Sequence, residues 1–151
     1  MSNWKNKMKK FTTIKTESEQ VKPETPVIGE NLVIIIPMIK GDGVYLKADN
    51  GLAEAFSKEV ENEDVKKTAK TLLRSVGIDI DVELPAAVSY IPDTRATFRH
   101  YLYIIDCTSA KELIYQGEGK RVYIPIENLS QVKTQDGPTI LGLNIINSLE
   151  K

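Results

Sequence analysis

The sequence is poor in the residues that carry redox and metal chemistry. It has one cysteine and one histidine among 151 residues. Cys107 cannot form an internal disulfide, which predicts a reducing, cytoplasmic compartment, and its place at a strand end predicts core packing. His100 has no second histidine and no partner cysteine beside it. We therefore interpret it as a half-buried strand residue and predict no metal site around it.

Long hydrophobic runs and an excess of one charge are also missing. The longest apolar run, Leu32 to Ile39, is too short to span a bilayer, so we expect no membrane segment. The 20 basic and 21 acidic side chains nearly cancel. This balance argues against a nucleic-acid binder that relies on bulk charge. What remains is a chain of ordinary globular composition.

The first thirty residues differ in composition from the rest. Five lysines, from Lys5 to Lys15, precede the first acidic residue, and acids and prolines follow. We predict a polar, partly disordered arm over residues 1–30, with contact to an acidic partner as the alternative. Residues 31–151 are predicted to form a single domain, which is long enough to bury a core.

Within that domain, the pattern predicts strands, a helix, more strands and a last helix. The predicted strands cover residues 32–36, 44–47, 78–82, 86–91, 97–107 and 121–126, and the predicted helices cover residues 63–76 and 139–149. Residues 52–60 stay open between loop and short helix. This order predicts a mixed sheet flanked by helices.

The first helix has the clearest signals. Asn62 is its predicted N-cap, Gly77 fits the position that ends it, and an apolar stripe runs from Val65 to Val76. Its other face carries a basic row, which we define as Lys66, Lys70 and Arg74, spaced by four residues. The stretch from Val65 to Ile78 contains no aspartate or glutamate.

The segment from Lys70 to Ile78 resembles the end of the Nudix pattern, G-x5-E-x7-R-E-U-x-E-E-x-G-U, where U is a bulky aliphatic residue. Within this segment, only Leu72, Gly77 and Ile78 have the side-chain types that the pattern requires at their positions. Residues 97–106 resemble the long strand after the helix, and residues 118–129 resemble the late acid, strand and short helix. The resemblance implies an α/β fold, a Nudix-like α/β/α sandwich with a mixed sheet.

The same resemblance implies chemistry that this chain lacks the residues for. In the family, helix glutamates hold magnesium against the diphosphate of a nucleoside diphosphate derivative. Here those positions hold Thr71, Arg74 and Ser75, and none of them can replace a carboxylate. We therefore expect a catalytically degenerate domain without a metal or cofactor. It would bind a nucleotide-type ligand or a protein partner, and the candidate binding residues are Lys70, Arg74, Arg95 and Tyr101.

Two alternatives use other residues. A divergent hydrolase would place magnesium on relocated acids, and its candidates are Glu59, Glu61, Glu63 and Glu118. A structural or inhibitory interaction module would use the basic arm and the apolar last helix, Thr139 to Leu149. A helix that is apolar nearly all round is buried within its domain or against a second subunit, so a homodimer is also expected under this interpretation.

Overall fold

The structure is a computed structural model that describes residues 31–92 and 97–150. The predicted arm over residues 1–30 lies outside the described residues, as does the turn predicted after Pro92. In chain order the elements are β1 (Leu32–Ile39), β2 (Gly43–Asp49), β3 (Leu52–Glu54), β4 (Phe56–Glu59), α1 (Val65–Ser75), β5 (Ile78–Asp79), β6 (Ala87–Pro92), β7 (Thr97–Asp106), β8 (Lys111–Glu112), β9 (Lys120–Pro125), a 3-10 helix (Ile126–Gln131) and α2 (Gly137–Leu149).

The continuous apolar run forms the central strand of a mixed seven-stranded sheet. β1 pairs in parallel with β7 and antiparallel with both β2 and β4. The order along the main path is β3-β2-β1-β7-β6, and β9 extends the sheet by pairing with β2. A strand that has neighbours on both sides and a covering layer on both faces needs apolar side chains throughout. This explains why apolar and polar residues do not alternate in this run.

The two faces of the sheet are covered by different helices. Val33 and Ile35 of β1 pack with Leu72 and Leu73 of α1 in one core. The intervening residues, such as Ile36, pack with residues of α2 in the other core. The period-two alternation of a strand therefore divides one apolar run between two cores. The α/β/α sandwich with a mixed sheet that the sequence predicted is confirmed.

The last helix packs on the sheet through one face. Asp136 caps it by accepting a 3.1 Å hydrogen bond from the amide of Thr139, and Pro138 lies in its first turn. Leu143 and Ile146 are buried, whereas Leu141 is 39% and Leu149 is 69% exposed. The predicted homodimer through this helix stays a prediction. No helix among the described residues is long and apolar enough to cross a membrane.

Three local predictions need correction. Asn62 is not the N-cap of α1; Asp64 is, because Asn62 and Glu63 both adopt left-handed backbone, with φ of 52° and 59°. The predicted strand over residues 78–82 ends at Asp79, where its pairing with β8 stops. Residues 52–60 were predicted to be a loop or a short helix, and that prediction was wrong as well, because they contain the short strands β3 and β4.

Candidate ligand-binding site

Helix α1 presents its polar face to solvent because its apolar stripe is fixed on the sheet. The Asp64 carboxylate accepts a 3.0 Å hydrogen bond from the amide of Lys67 and starts the helix. Ala69 and Leu73 are fully buried. The basic row of Lys66, Lys70 and Arg74 is thereby placed along one flank of the helix. It faces an acidic segment that begins at the end of β5 and carries Asp79, Asp81 and Glu83.

Two members of the basic row pair with carboxylates of that segment. Lys70 Nζ donates to Asp81 Oδ1 at 2.6 Å, and Arg74 Nη1 donates to Asp79 Oδ1 at 3.3 Å. The hydrogen bond and the charge of Lys70 lower the pKa of the Asp81 carboxyl, with a smaller contribution from Lys66. Both pairs are open to solvent, so neither contributes much to the stability of the fold.

A groove runs between the basic row and the acidic segment. It has a volume of about 790 Å³, and α1 contributes most of its lining: Lys66, Lys67, Lys70, Thr71 and Arg74, with Asp64 at the helix start and Asp81, Val82 and Glu83 opposite. We call this the row groove. The two α1 residues named as binding candidates, Lys70 and Arg74, therefore share one open groove.

The candidate Tyr101 lies in a second depression that adjoins the row groove. This depression of about 550 Å³ is lined mainly by apolar and aromatic side chains: Val65, Leu84, Pro85, Tyr101 and Tyr103, together with Lys66 and Glu83. Lys66 and Glu83 line both spaces, so the two spaces adjoin at these residues. Leu84 is 86% exposed at the rim. Arg95, the remaining binding candidate, lies outside the described residues.

The opposite flank of α1 borders a smaller depression of about 260 Å³. Its lining residues come from β2, β4, α1 and the loop before β9: Lys47, Phe56, Ser57, Lys58, Leu72, Ser75, Tyr115, Gly117 and Glu118. Lys47 pairs with Glu54 at 3.2 Å, and Lys58 pairs with Glu61 at 2.7 Å. The loop is held in shape by Tyr115, whose hydroxyl donates to the carbonyl of Glu118.

The acids named for a relocated metal site fall into different places. Glu59 and Glu63 line a shallow depression with Asn31 and Val60, Glu61 pairs with Lys58, and Glu118 lies in the depression beside Ser75. Over residues 31–92 and 97–150, no three His, Cys, Asp or Glu side chains lie close enough together to hold a metal ion.

The remaining titratable candidates are structural. His100 is half-buried on β7, where the sequence placed it. Cys107 is buried at 4% exposure in the core beneath α1, and this burial raises the pKa of its thiol to about 11. A thiol in that state is a poor nucleophile at neutral pH.

The acidic segment and two strand lysines, Lys47 and Lys58, were not predicted from the sequence. Asp79, Asp81 and Glu83 alternate with apolar residues, and that alternation was the signal for a carboxylate edge. Lys47 and Lys58 lie on strands far apart in the chain, so no local pattern indicated that they would share a depression.

Comparison with known proteins identifies the architecture. The chain matches no family model, and no curated protein sequence matches it. A hydrolase of the NUDIX family from Clostridium perfringens superposes with a TM-score of 0.61 at 12% identity, over 83% of this chain and all (100%) of that chain. The chain has the Nudix fold. Two further structures have the same fold. A NUDIX hydrolase from Nitrosomonas europaea has a TM-score of 0.61 at 8% identity, over 82% of this chain and 91% of that chain. The MutT protein of Bacillus halodurans has a TM-score of 0.56 at 16% identity, over 78% of this chain and 82% of that chain.

The Nudix fold implies a magnesium site, and the side chains present do not fit one. Helix α1, from Val65 to Ser75, carries no aspartate or glutamate that could hold the ion. The Ser75 hydroxyl donates to the carbonyl of Leu72 at 2.6 Å, within its own helix. Beside it, Glu118 is the one carboxylate that lines the depression, together with two lysines. Magnesium needs several oxygen ligands, and nearby ammonium groups oppose a divalent cation.

Proposed function

We propose that this Nudix-fold domain binds a phosphate-bearing, nucleotide-type ligand without magnesium-dependent cleavage. The observation that carries the proposal is the polar face of α1, which has basic and hydroxyl side chains in place of the carboxylates that the family uses. Ammonium and guanidinium groups supply positive charge for phosphate oxygens directly. A ligand held in this way needs no metal ion.

The two adjoining spaces suit the two parts of such a ligand. Lys70 and Arg74 in the row groove would contact the phosphate group, and the apolar depression beside Tyr101 would hold the base or sugar. Lys66 lies where the two spaces meet. Exposed ion pairs are weak, so the carboxylates that now pair with Lys70 and Arg74 are displaceable by a phosphate.

Calorimetry without metal tests the proposal. We expect ADP in excess EDTA to bind to the wild-type protein, and the double variant Lys70→Gln/Arg74→Gln to lose at least about tenfold in affinity, since two charged hydrogen bonds disappear. The matched control Lys40→Gln/Lys133→Gln removes the same charge from exposed positions elsewhere and should bind as the wild type does. Absence of ADP binding, or equal losses in both variants, would contradict the proposal.

Phosphate release separates this function from the hydrolase alternative. We expect no turnover of nucleoside diphosphate derivatives with magnesium or manganese. Turnover that disappears in Glu118→Gln or Glu61→Gln would instead establish a divergent hydrolase with relocated acids. A protein with neither binding nor turnover, recovered with a specific protein partner, would establish the interaction module.

A further inference from the structure

The acidic segment, which begins at the end of β5 with Asp79, has the same spacing as the basic row and the opposite charge. Four residues of an α-helix rise about 6.0 Å, and two residues of an extended chain rise about 6.6 Å. The row is spaced by four residues and the acids Asp79, Asp81 and Glu83 by two. The chain between Ile80 and Pro85 has no turn. Between the acids, Ile80 is half-buried and Val82 is buried, as in an extended segment with alternating side chains.

The pairing runs antiparallel along the helix. Arg74, near the end of α1, meets Asp79, and Lys70, one turn earlier, meets Asp81. The next step places Lys66 opposite Glu83, and both residues line the row groove. Lys66 also lies close enough to Asp81 to lower the pKa of that carboxyl. Two positive groups of the row thus pair with carboxylates of the same chain, and the third, Lys66, lines the same groove as Glu83.

From this geometry, and resting on the proposed function, we infer that Asp79, Asp81 and Glu83 act as a built-in competing anion that makes the row groove selective for ligands of high negative charge. A monophosphate carries about −1.5 to −2 at pH 7. It would displace two carboxylates with a total charge of −2, so its binding would gain little electrostatic free energy. A chain of two or three phosphates brings more charge than it displaces.

The carboxylates are therefore specificity-determining residues, and their removal should raise the affinity of the row groove for anions. Replacing Asp79 and Asp81 with asparagine keeps side-chain size and leaves Lys70 and Arg74 without their anionic partners. We expect inorganic triphosphate to bind about three- to tenfold tighter, the effect of removing two exposed ion pairs. Asp81 has a side chain that is 90% exposed, so the single variant Asp81→Asn folds normally and should show part of the same gain.

Calorimetry in EDTA at fixed ionic strength tests the inference with inorganic triphosphate and orthophosphate as probes. Asp49→Asn/Glu127→Gln, an equal charge change at exposed positions elsewhere, is the matched control. Support requires that the wild type bind triphosphate but not orthophosphate, that Asp79→Asn/Asp81→Asn gain affinity, and that the control gain none. The NMR-measured pKa of Asp81 should also rise when triphosphate binds, since Lys70 leaves it.

Three results would overturn the inference. One is equal binding of triphosphate by the wild type and the Asp79→Asn/Asp81→Asn variant, and another is an equal gain in the control. The third is wild-type protein that binds orthophosphate as tightly as triphosphate. If ADP binds but triphosphate affinity ignores Asp79 and Asp81, this inference fails and the proposed function stands. If neither the wild type nor the variants bind any phosphate, both fail.

Discussion

The two long helices cover opposite faces of the same sheet, but their solvent-facing surfaces differ in charge. α1 buries one stripe and presents a charged outer face, whereas α2, from Gly137 to Leu149, has no charged residue at all. The row groove and the depression beside Ser75 both border α1. The contrast teaches that the inner stripe of α1 preserves the fold while its outer face is free to change chemistry.

The largest expected effect tests whether both layers are equally well packed. Leu73 in α1 and Ile146 in α2 are both fully buried. Leu73→Ala and Ile146→Ala should each lower the free energy of unfolding by about 2–5 kcal/mol, from lost burial and a residual cavity. Urea denaturation measures both. A cost below about 1 kcal/mol for one variant would show that its layer is loosely packed and would break the symmetry.

A pH effect should come from the α1 side. Burial raises the pKa of the Cys107 thiol from 9.0 to about 11. The stability that the neutral, buried thiol contributes to the folded protein is complete below pH 9. It is lost as the pH rises toward 11, because the thiol ionises at a lower pH in the unfolded chain than in the folded protein. The loss should reach about 2–3 kcal/mol.

Comparison with Cys107→Ala isolates this effect from the tyrosines. The pKa values of Tyr45, Tyr103 and Tyr123 are also raised, so they add to the decline at high pH in both proteins. Denaturation at about pH 8, 9.5 and 11 should show a steeper decline in the wild type than in Cys107→Ala. Parallel curves would mean that the thiol is accessible in the folded protein.

On the α2 side, the matching prediction concerns a buried hydroxyl. Thr139 is fully buried, and its Oγ1 accepts a 2.7 Å hydrogen bond from the amide of Ala55. Thr139→Val keeps the shape and leaves that amide without its partner, at a cost of about 1–3 kcal/mol. Thermal unfolding should show a lower midpoint than for Thr71→Val, a control whose side chain is exposed on α1. Equal midpoints would mean that the amide finds another acceptor.

The smallest effect is expected on the outer faces. Lys70→Gln removes an exposed ion pair and Leu149→Gln replaces a 69% exposed side chain, so each should change stability by less than about 1 kcal/mol. Gel filtration of the two variants adds a readout for α2. A wild-type dimer that Leu149→Gln dissociates, with Lys70→Gln unaffected, would support the predicted homodimer, and a monomeric wild type would contradict it.

Local patterns in the sequence were enough for both long helices, the longer strands and the fold class, but not for the short strands β3, β4 and β8. The Val65–Val76 stripe predicted α1, and the apolar run predicted a strand buried on both faces, because each depends on side-chain periodicity along a few turns or residues. The first residue of α1 was harder to predict from the sequence. Asn62 and Asp64 are both good capping residues, and the left-handed backbone at Asn62 and Glu63 decided between them.

The composition of the candidate site was only partly predictable. Lys70 and Arg74 were named from their spacing on one helix, and both line the row groove. Their partners Asp79 and Asp81 were missed, since a helix and an extended segment meet only when the turn at Gly77 reverses the chain. Lys47, Lys58 and Glu118 were brought to the depression beside Ser75 by strand pairing across long sequence separations.

By itself, the sequence determined the absence of carboxylates from Val65 to Ile78, the apolar stripe that holds this stretch on a sheet, and the mixed α/β class. These depend on residue type and short-range period. The tertiary structure alone decided which charges meet: β1 takes neighbours from three strands, and α1 lies against the Asp79–Glu83 segment on one flank and the Glu118 loop on the other. Electrostatic interactions depend on distance in space, which residue order does not specify.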